Sequence, residues 1–323
     1  AGWTATFLGA DAGGDWAAPG EALAGGAAEP EPAWLYHGAI SGHSDHVQCL
    51  CTHGWRECLA ASGGKDDAVL FWDVERGEAW RRLELGRSPL DLAFGVGAAD
   101  ASLFAALDSV PRESGQVVGY DIETGRRLFI RPSPGPGHVS CIHCAADGAT
   151  LLAGAAGGSV GQLAARDGAV VFQFETGMPD VNVVSVSCDG RYIQASGDRS
   201  ETVVLDARWP GRELHRLRHD QVSQHVNGVS AQWCHAARTV LVTGSDDGLM
   251  RVWDVALGGD HPMVACLPGH SAPISCIAIS PDDDLFASGG DDGKIVAFST
   301  RGSAAGSRYS VGTEQDNFLS TRA

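Results

Sequence analysis

Three stretches of this chain share one pattern, in which small residues are followed by Asp and then by alternating apolar residues. This repetition restricts the possible folds more than any other feature of the sequence. They are SGGKDDAVLFWD at 62–73, TGSDDGLMRVWD at 243–254 and SGGDDGKIVAFS at 288–299. The first and third follow segments that open with Gly-His, namely GHSDHVQCL from Gly42 and GHSAPISCIAIS from Gly269. An internal repeat of this size predicts that one supersecondary unit is copied along the chain and packs on its neighbours.

Weaker copies fill the middle of the chain, so that the unit recurs about every 45 residues. SPLDLAF leads to VVGYD, GHVSCIHC leads to SVGQLA, and VNVVSVSCDGRYIQAS leads to TVVLD. Within each copy the apolar residues alternate and Asp-Gly or Gly-Gly turns separate short runs, a pattern typical of successive antiparallel strands. No long stretch carries a capped apolar stripe of period 3.6, so we expect an all-β chain with few helices.

The charge and the cysteines exclude several classes of partner and setting. The net charge of −17 should repel phosphate backbones and anionic lipid, so we expect no nucleic acid partner and favour basic protein segments. No apolar run is long enough for membrane insertion, and the first residues do not resemble a signal peptide. Nine scattered cysteines predict reduced, buried thiols in the cytoplasm, with the nucleus as the alternative. Because the chain begins with Ala, we expect a processed product or a piece of a longer protein.

A unit of about 45 residues with four short strands, opening with Gly-His and closing with Trp-Asp, resembles the WD40 repeat, which forms one blade of a β-propeller. The resemblance covers residues 34–312. It leaves 1–33 as an arm or linker rich in Ala, Gly and Pro, and 313–323 as a tail or ring-closing segment. Six units are visible, and the family usually has seven four-stranded antiparallel blades. The resemblance therefore implies seven, with six as the alternative. The seventh would combine WTATFL, WLYHGAI and NFLST, and WLYHGAI would be the outer strand of the last blade.

The resemblance also implies a buried hydrogen-bonded network of His, Ser or Thr, Asp and Trp in each well-marked unit. Its members would be His43, Ser62, Asp66 and Trp72 in the first unit, Thr243, Asp247 and Trp253 with His219 or His225 in the fifth, and His270, Ser288 and Asp292 in the sixth, where Phe298 replaces Trp. The middle units lack the set and carry Arg87, Ala153, Gly157, Leu163, Arg199 and Leu205 at the network positions. We expect those units to depend on apolar packing alone.

The same residue types could form a catalytic triad, but repetition in several units favours a structural role, because a nucleophile needs an exposed hydroxyl and an oxyanion pocket. Lys65 follows two glycines without the remaining phosphate-loop residues. Cys141 and Cys144 lie three apart on a predicted strand, which would point them to opposite faces. Asp282-Asp283-Asp284 reads as a solvated turn. We therefore predict no catalytic residue, no cofactor and no metal.

The resemblance implies a non-catalytic scaffold or adaptor, a subunit of a multiprotein complex, that binds partner segments on the top rim. This rim would consist of the Gly-His loops and the tight turns before the third strands, and would carry His46, Lys65, Arg87, Asp246, Pro273 and Asp291. One alternative is a substrate receptor of a cullin-type ubiquitin ligase, since Leu205-Asp206-Ala207-Arg208 has the Asp and Arg of the family's adaptor-binding motif, with Leu for Trp. The other alternative is a propeller hydrolase or lyase, which no motif in the sequence indicates.

Overall fold

The structure is a computed structural model that describes residues 41–299, except 55, 57, 210, 220–229 and 258–261. The arm at 1–33, the strand expected at 34–40, the ring-closing segments near the C-terminus, the tail at 313–323 and His225 lie outside the described residues, so those predictions stay predictions.

Six antiparallel sheets, built from consecutive strands, make up the described part of the chain. We call them blades 1 to 6 and letter their strands a to d in chain order. The strands of blades 1 to 3 are β1 (Val47–Thr52), β2 (Leu59–Gly64), β3 (Ala68–Asp73), β4 (Glu78–Glu84); β5 (Pro89–Phe94), β6 (Ser102–Leu107), β7 (Gln116–Asp121), β8 (Arg127–Pro132); β9 (Val139–Cys144), β10 (Thr150–Ala155), β11 (Ser159–Ala164) and β12 (Val170–Glu175).

Blades 4 and 5 also have four strands each, whereas blade 6 has three described strands. The strands are β13 (Val181–Val186), β14 (Tyr192–Gly197), β15 (Glu201–Asp206), β16 (Glu213–Arg218); β17 (Ser230–Trp233), β18 (Val240–Gly244), β19 (Leu249–Asp254), β20 (Met263–Pro268); β21 (Ile274–Ile279), β22 (Leu285–Gly290) and β23 (Ile295–Ser299). The only helical segments among the described residues are 3-10 turns at Gly97–Ala99 and Asp198–Ser200. The predicted all-β class is confirmed, and six sheets agree with six or seven blades.

The burial of the strands follows their place in the blade. Strands b and c are buried along nearly their whole length in blade 1, whereas strand d exposes every second residue or more. A strand with blades packed on both faces needs apolar residues at every position, and an outer strand needs them on one face only. This difference explains why the b and c runs, such as LFAAL in β6, are continuously apolar.

The cores lie between successive blades and not within them. One cluster joins Phe71 of blade 1 to Leu103 of blade 2, and the next joins Phe104 of blade 2 to Leu151 of blade 3. Neighbouring residues on a strand thus belong to different cores, as the strand period of two requires. Cys141 and Cys144 show the same division, because Cys144 packs toward blade 2 and Cys141 toward blade 4.

All nine cysteines are free thiols. Five of them are buried, but Cys58, Cys188, Cys266 and Cys276 are exposed. The prediction that the thiols are buried is therefore wrong for these four, which occupy turns or half-solvated strand positions that alternation alone does not identify. No helix in the described ranges is long and apolar enough to cross a membrane.

Candidate partner-binding rim and its networks

The network of blade 1 joins a loop, two strands and a turn. His43 Nδ1 lies 2.8 Å from Asp66 Oδ1, and His43 Nε2 lies 2.7 Å from Ser62 Oγ. Ser62 Oγ also accepts a hydrogen bond from Trp72 Nε1 at 2.7 Å. Gly64 leaves room for this arrangement, because a Cβ there would lie 2.5 Å from both His43 Nδ1 and Asp66 Oδ1.

These contacts determine the tautomer of His43. Ionised Asp66 can only accept, so Nδ1 carries the proton and donates it to the carboxylate. Nε2 then accepts from the Ser62 hydroxyl, whose oxygen is free to accept from Trp72. Burial opposes ionisation of Asp66, but hydrogen bonds from His43, the Ser44 N–H and Arg82 outweigh it and hold the pKa of Asp66 well below its usual range.

Blade 6 repeats this arrangement without the indole. His270 Nδ1 lies 2.9 Å from Asp292 Oδ1, and His270 Nε2 lies 2.9 Å from Ser288 Oγ. The hydrogen bond from His270 and that from the Ser271 N–H lower the pKa of Asp292 well below its usual range. Phe298 pairs with Phe286 across the two strands, and its side chain has no N–H that could donate a hydrogen bond to Ser288.

Blade 5 differs, because an arginine stands between the histidine and the aspartate. Of the two candidate histidines, His219 is described, and its Nε2 lies 3.0 Å from Thr243 Oγ1, which accepts from Trp253 Nε1 at 2.8 Å. Arg251 is only 3% exposed, pairs with Asp247 at 2.7 Å and hydrogen-bonds His219 Nδ1. Arginine only donates, so Nδ1 accepts and the proton lies on Nε2, the opposite tautomer from blade 1.

Arg251 was missed from the sequence, although TGSDDGLMRVWD contains a charged residue at a position that is apolar in AVLFWD. Burial, followed by the nearby charge of Arg251, lowers the pKa of His219 to about 4. A second proton on His219 would have to face the guanidinium, so this network holds only a neutral imidazole.

The middle blades do not depend on apolar packing alone, which corrects the expectation from sequence. Ser159 Oγ of blade 3 lies 2.8 Å from the Glu175 carboxylate. In blade 4, Ser196 Oγ lies 2.7 Å from both Gln194 Oε1 and Thr202 Oγ1. Ser159 with Glu175 and Ser196 with Thr202 are pairs across adjacent strands, so the sheet register brings together residues that no sequence motif links.

A backbone hydrogen bond ties the two parts of the predicted top rim in blades 1, 2, 3, 4 and 6, while the loop before strand a of blade 5 lies outside the described residues. Each bond runs from the b–c turn to the carbonyl of the loop before strand a, at 2.8 to 3.2 Å. The donor and acceptor pairs are Lys65 and His46, Asp108 and Ser88, Ala156 and His138, Asp198 and Asp180, and Asp291 and Pro273. The rim is therefore a row of turns that backbone bonds hold in place.

The predicted rim residues lie on this edge but differ in exposure. His46, Lys65 and Asp291 are exposed, while Asp246 and Pro273 are partly covered. The side chain of Arg87 is only 10% exposed, because it donates to the Ser114 carbonyl at 2.8 Å and pairs with Glu113. Arg87 thus braces the long loop at 108–116 instead of presenting its charge to solvent.

The opposite edge, which we call the lower edge, contains the a–b and c–d turns. One contact on this edge was not predicted from the sequence. The Asp283 carboxylate accepts hydrogen bonds from three backbone N–H groups of blade 5, those of His235 and Ala236 at 2.7 Å and that of Ala237 at 2.9 Å. The interpretation of Asp282-Asp283-Asp284 as a solvated turn is therefore wrong for Asp283. Its carboxylate satisfies donors of a turn 46 to 48 residues earlier in the chain.

The networks bury their hydroxyls. Ser62 and Ser288 are 3% and 2% exposed, and Thr243 is fully buried. A hydroxyl that is inaccessible and already hydrogen-bonded is suited to holding a turn. Within the residues that the structure describes, no group of three His, Cys, Asp or Glu side chains is placed to hold a metal ion.

The comparisons with known proteins find WD40 repeats in this chain. The model of the WD domain, G-beta repeat (WD40) family matches residues 35–73, 211–254 and 262–299. Translation initiation factor 3 subunit I of Botryotinia fuckeliana is 24% identical over 296 residues, which cover 81% of this chain and 83% of that protein.

Other relatives match over smaller shares of their length. Rik1-associated factor 1 of Schizosaccharomyces pombe is 31% identical over 99 residues, 27% of this chain and 15% of that protein. WD repeat-containing protein 1 of Gallus gallus is 24% identical over 258 residues, 78% of this chain and 39% of that protein.

A solved structure described as the Dos1 propeller has the same fold, with a TM-score of 0.64 and 22% identity, covering 75% of this chain and 65% of that one. The recurring strand pattern, the six packed sheets and the matching family model agree. This chain contains WD40 repeats, and its sheets form the blades of a β-propeller.

Proposed function

We propose that this protein is a non-catalytic interaction scaffold, a subunit of a larger assembly that binds segments of partner proteins on its top rim. The observation that carries the proposal is the rim itself. Five b–c turns are tied to the loops before strand a by backbone bonds, so the exposed side chains sit on a rigid frame. A rigid frame binds with less loss of conformational entropy than mobile loops do.

The kind of relative supports the same proposal. One relative is by name a subunit of translation initiation factor 3, and another is a factor associated with Rik1. Both names describe proteins that work with other proteins. The charge of −17, with exposed Asp45 and Asp291 on the rim, favours partner segments that are basic, because opposite charges accelerate encounter.

Site-specific photo-crosslinking tests the rim. A photoreactive residue placed at His46 or Asp291 should capture the same partners from cell extract, and Asp291→Lys should weaken the capture from position 46. The same group at Arg76, an exposed position in the c–d turn on the lower edge, is the control. Equal capture from Arg76 and from the rim positions would contradict a rim site.

A second candidate function is that of a substrate receptor of a cullin-type ubiquitin ligase. Arg208 projects from the c–d turn of blade 4 with its side chain 59% exposed, and it is held in a two-point ion pair by Asp206 at 2.9 and 2.6 Å. A held but accessible arginine is suited to a protein contact. Co-purification of the ligase adaptor, lost in Arg208→Ala, would support this function, and an absence of adaptor binding would end it.

A further inference from the structure

A recess of about 440 Å³ opens on the lower edge, at the junction of blades 3 and 4. Its walls come from the two a–b turns, from strand c of blade 3 and from the c–d turn of blade 4. Val186 and Ile193 give it apolar walls, and Asp147, Asp189 and Gln162 give it polar ones. It lies at the opposite end of the strands from the top rim.

Gln162 in this recess occupies an apolar position of the blade. It pairs with Leu152 on the neighbouring strand, and Leu152 belongs to the core shared by blades 3 and 4. By register, the same position in the other five blades carries Phe71, Gly119, Val204, Val252 and Ala297. A polar side chain facing a core in one blade of six requires a reason beyond the fold.

The side-chain carbonyl oxygen of Gln162 is also left without a partner. Its Oε1 is buried and accepts no hydrogen bond from the described part of the chain. Gln194 provides a contrast, because it is fully buried and its amide donates to Ser185 Oγ at 3.0 Å and accepts from Ser196 Oγ at 2.7 Å. An unpaired buried carbonyl is costly. Because Gln162 lines the recess, rotation of its side-chain amide would turn the oxygen toward a donor that arrives from outside.

The charges around the recess indicate which donor fits. The carboxylate of Asp189 is positioned by the Ser187 hydroxyl at 2.7 Å and that of Asp147 by the Thr150 N–H at 2.9 Å, so both are fixed by their own turns. The cation that lines the recess, Arg208, already forms a two-point pair with Asp206. The recess therefore presents carboxylates to a ligand and should repel an anion.

We propose that this recess binds the arginine side chain of a basic segment from a partner protein. The guanidinium has five donors in a fixed fork, enough to reach the Gln162 oxygen and a carboxylate together. Its three methylenes suit the apolar walls made by Val186 and Ile193. The site lies at the lower edge and is independent of the top rim, so either one can fail without the other.

The first test is a gain of stability. Gln162→Leu replaces an unpaired polar group with an apolar side chain, as four of the other five blades have at this position, so the variant should fold and its melting temperature should rise by a few degrees. Differential scanning calorimetry measures it. A melting temperature lowered by the substitution would show that the amide is satisfied within the fold, and would overturn the proposal.

The second test is binding of a defined probe. Titration of the ¹⁵N-labelled full chain with N-acetyl-arginine amide should shift the Gln162 side-chain amide signal saturably, and that signal is assigned by its loss in Gln162→Leu. The probe should bind about 10-fold more weakly to Gln162→Leu and to Asp189→Asn. The matched control is Asp282→Asn, which changes the corresponding aspartate of blade 6, also bonded to a serine, at 2.6 Å.

The neutral isostere N-acetyl-citrulline amide separates charge from shape. It should bind at least about 10-fold more weakly than the arginine probe if the carboxylates take part. Equal binding of the two probes, equal weakening by Asp282→Asn and Asp189→Asn, or no saturable shift in the wild-type protein would each overturn the proposal. None of these outcomes bears on crosslinking at the top rim.

Discussion

Histidine shows how one residue type serves two different networks in this protein. In blade 1 a carboxylate faces Nδ1 of His43, so the proton lies on Nδ1. In blade 5 a guanidinium faces Nδ1 of His219, so the proton lies on Nε2. The indole and the hydroxyl beyond the imidazole keep their places in both.

Asp66→Ala should lower the free energy of unfolding by about 1–3 kcal/mol, because it leaves the His43 imidazole and the Ser44 N–H without their acceptor. Urea denaturation measures the loss. Lys65→Ala, one residue earlier and exposed, should change stability by less than about 0.5 kcal/mol. A similar loss in both variants would argue against the buried network as the cause.

Because of His219, the protein should lose stability on acidification at pH values well above the usual pKa range of carboxylates. Its pKa in the folded state is about 4, below the ordinary value of about 6.5, so folding favours the neutral imidazole. The stability that this provides is fully present above about pH 6.5 and is lost as the pH falls through 4. Unfolding free energies from pH 7.5 to 4.5 should therefore fall more steeply in the wild type than in His219→Gln.

Exposed His46 provides the control for that measurement. Its side chain is 74% exposed, so His46→Gln should keep the pH slope of the wild type. If His219→Gln also kept the pH slope of the wild type, the imidazole of His219 would titrate alike in the folded and unfolded states. That result would contradict a buried neutral imidazole bonded to Arg251.

At the scale of elements, blade 6 is secured to blade 5 through its turns as well as its core. The turn of blade 6 reaches the turn of blade 5 through one carboxylate, that of Asp283. Asp283 has a φ of 58°, a left-handed conformation that Asp and Asn tolerate better than most residues. The turn geometry and the contact between blades thus depend on the same side chain.

Asp283→Asn keeps that conformation but turns one acceptor into a donor, so at least one N–H of His235, Ala236 or Ala237 should lose its partner. We expect faster hydrogen exchange at these amides and a loss of about 1–2 kcal/mol in unfolding free energy. Asp282→Asn, on the exposed neighbour, should leave those amides as protected as before. Unchanged exchange in Asp283→Asn would show that the turns hold each other without this contact.

At the scale of the whole molecule, shared cores should make the described blades unfold together. Each main core contains residues of two successive blades, as Phe104 and Leu151 do for blades 2 and 3. Removing one blade would therefore expose the faces of its neighbours. This coupling argues for one transition rather than a series of independent ones.

Leu151→Ala tests that coupling, because Leu151 is fully buried between blades 2 and 3. The cavity should cost about 2–5 kcal/mol, and calorimetry should still show one transition at a lower temperature. Two separated transitions would mean that the blades are stable in independent groups.

The sequence by itself determined the strands, the turns and the repeat, because these follow from local alternation and from Gly and Asp at fixed offsets. It also brought His43, Ser62 and Asp66 into one network through the family pattern. Only the tertiary structure decided that Arg251 enters the network of blade 5, that Asp283 supports another blade and that Gln162 faces a core without a partner. The physical reason is that these contacts join different strands or different blades, and their energies depend on which polar groups become buried together.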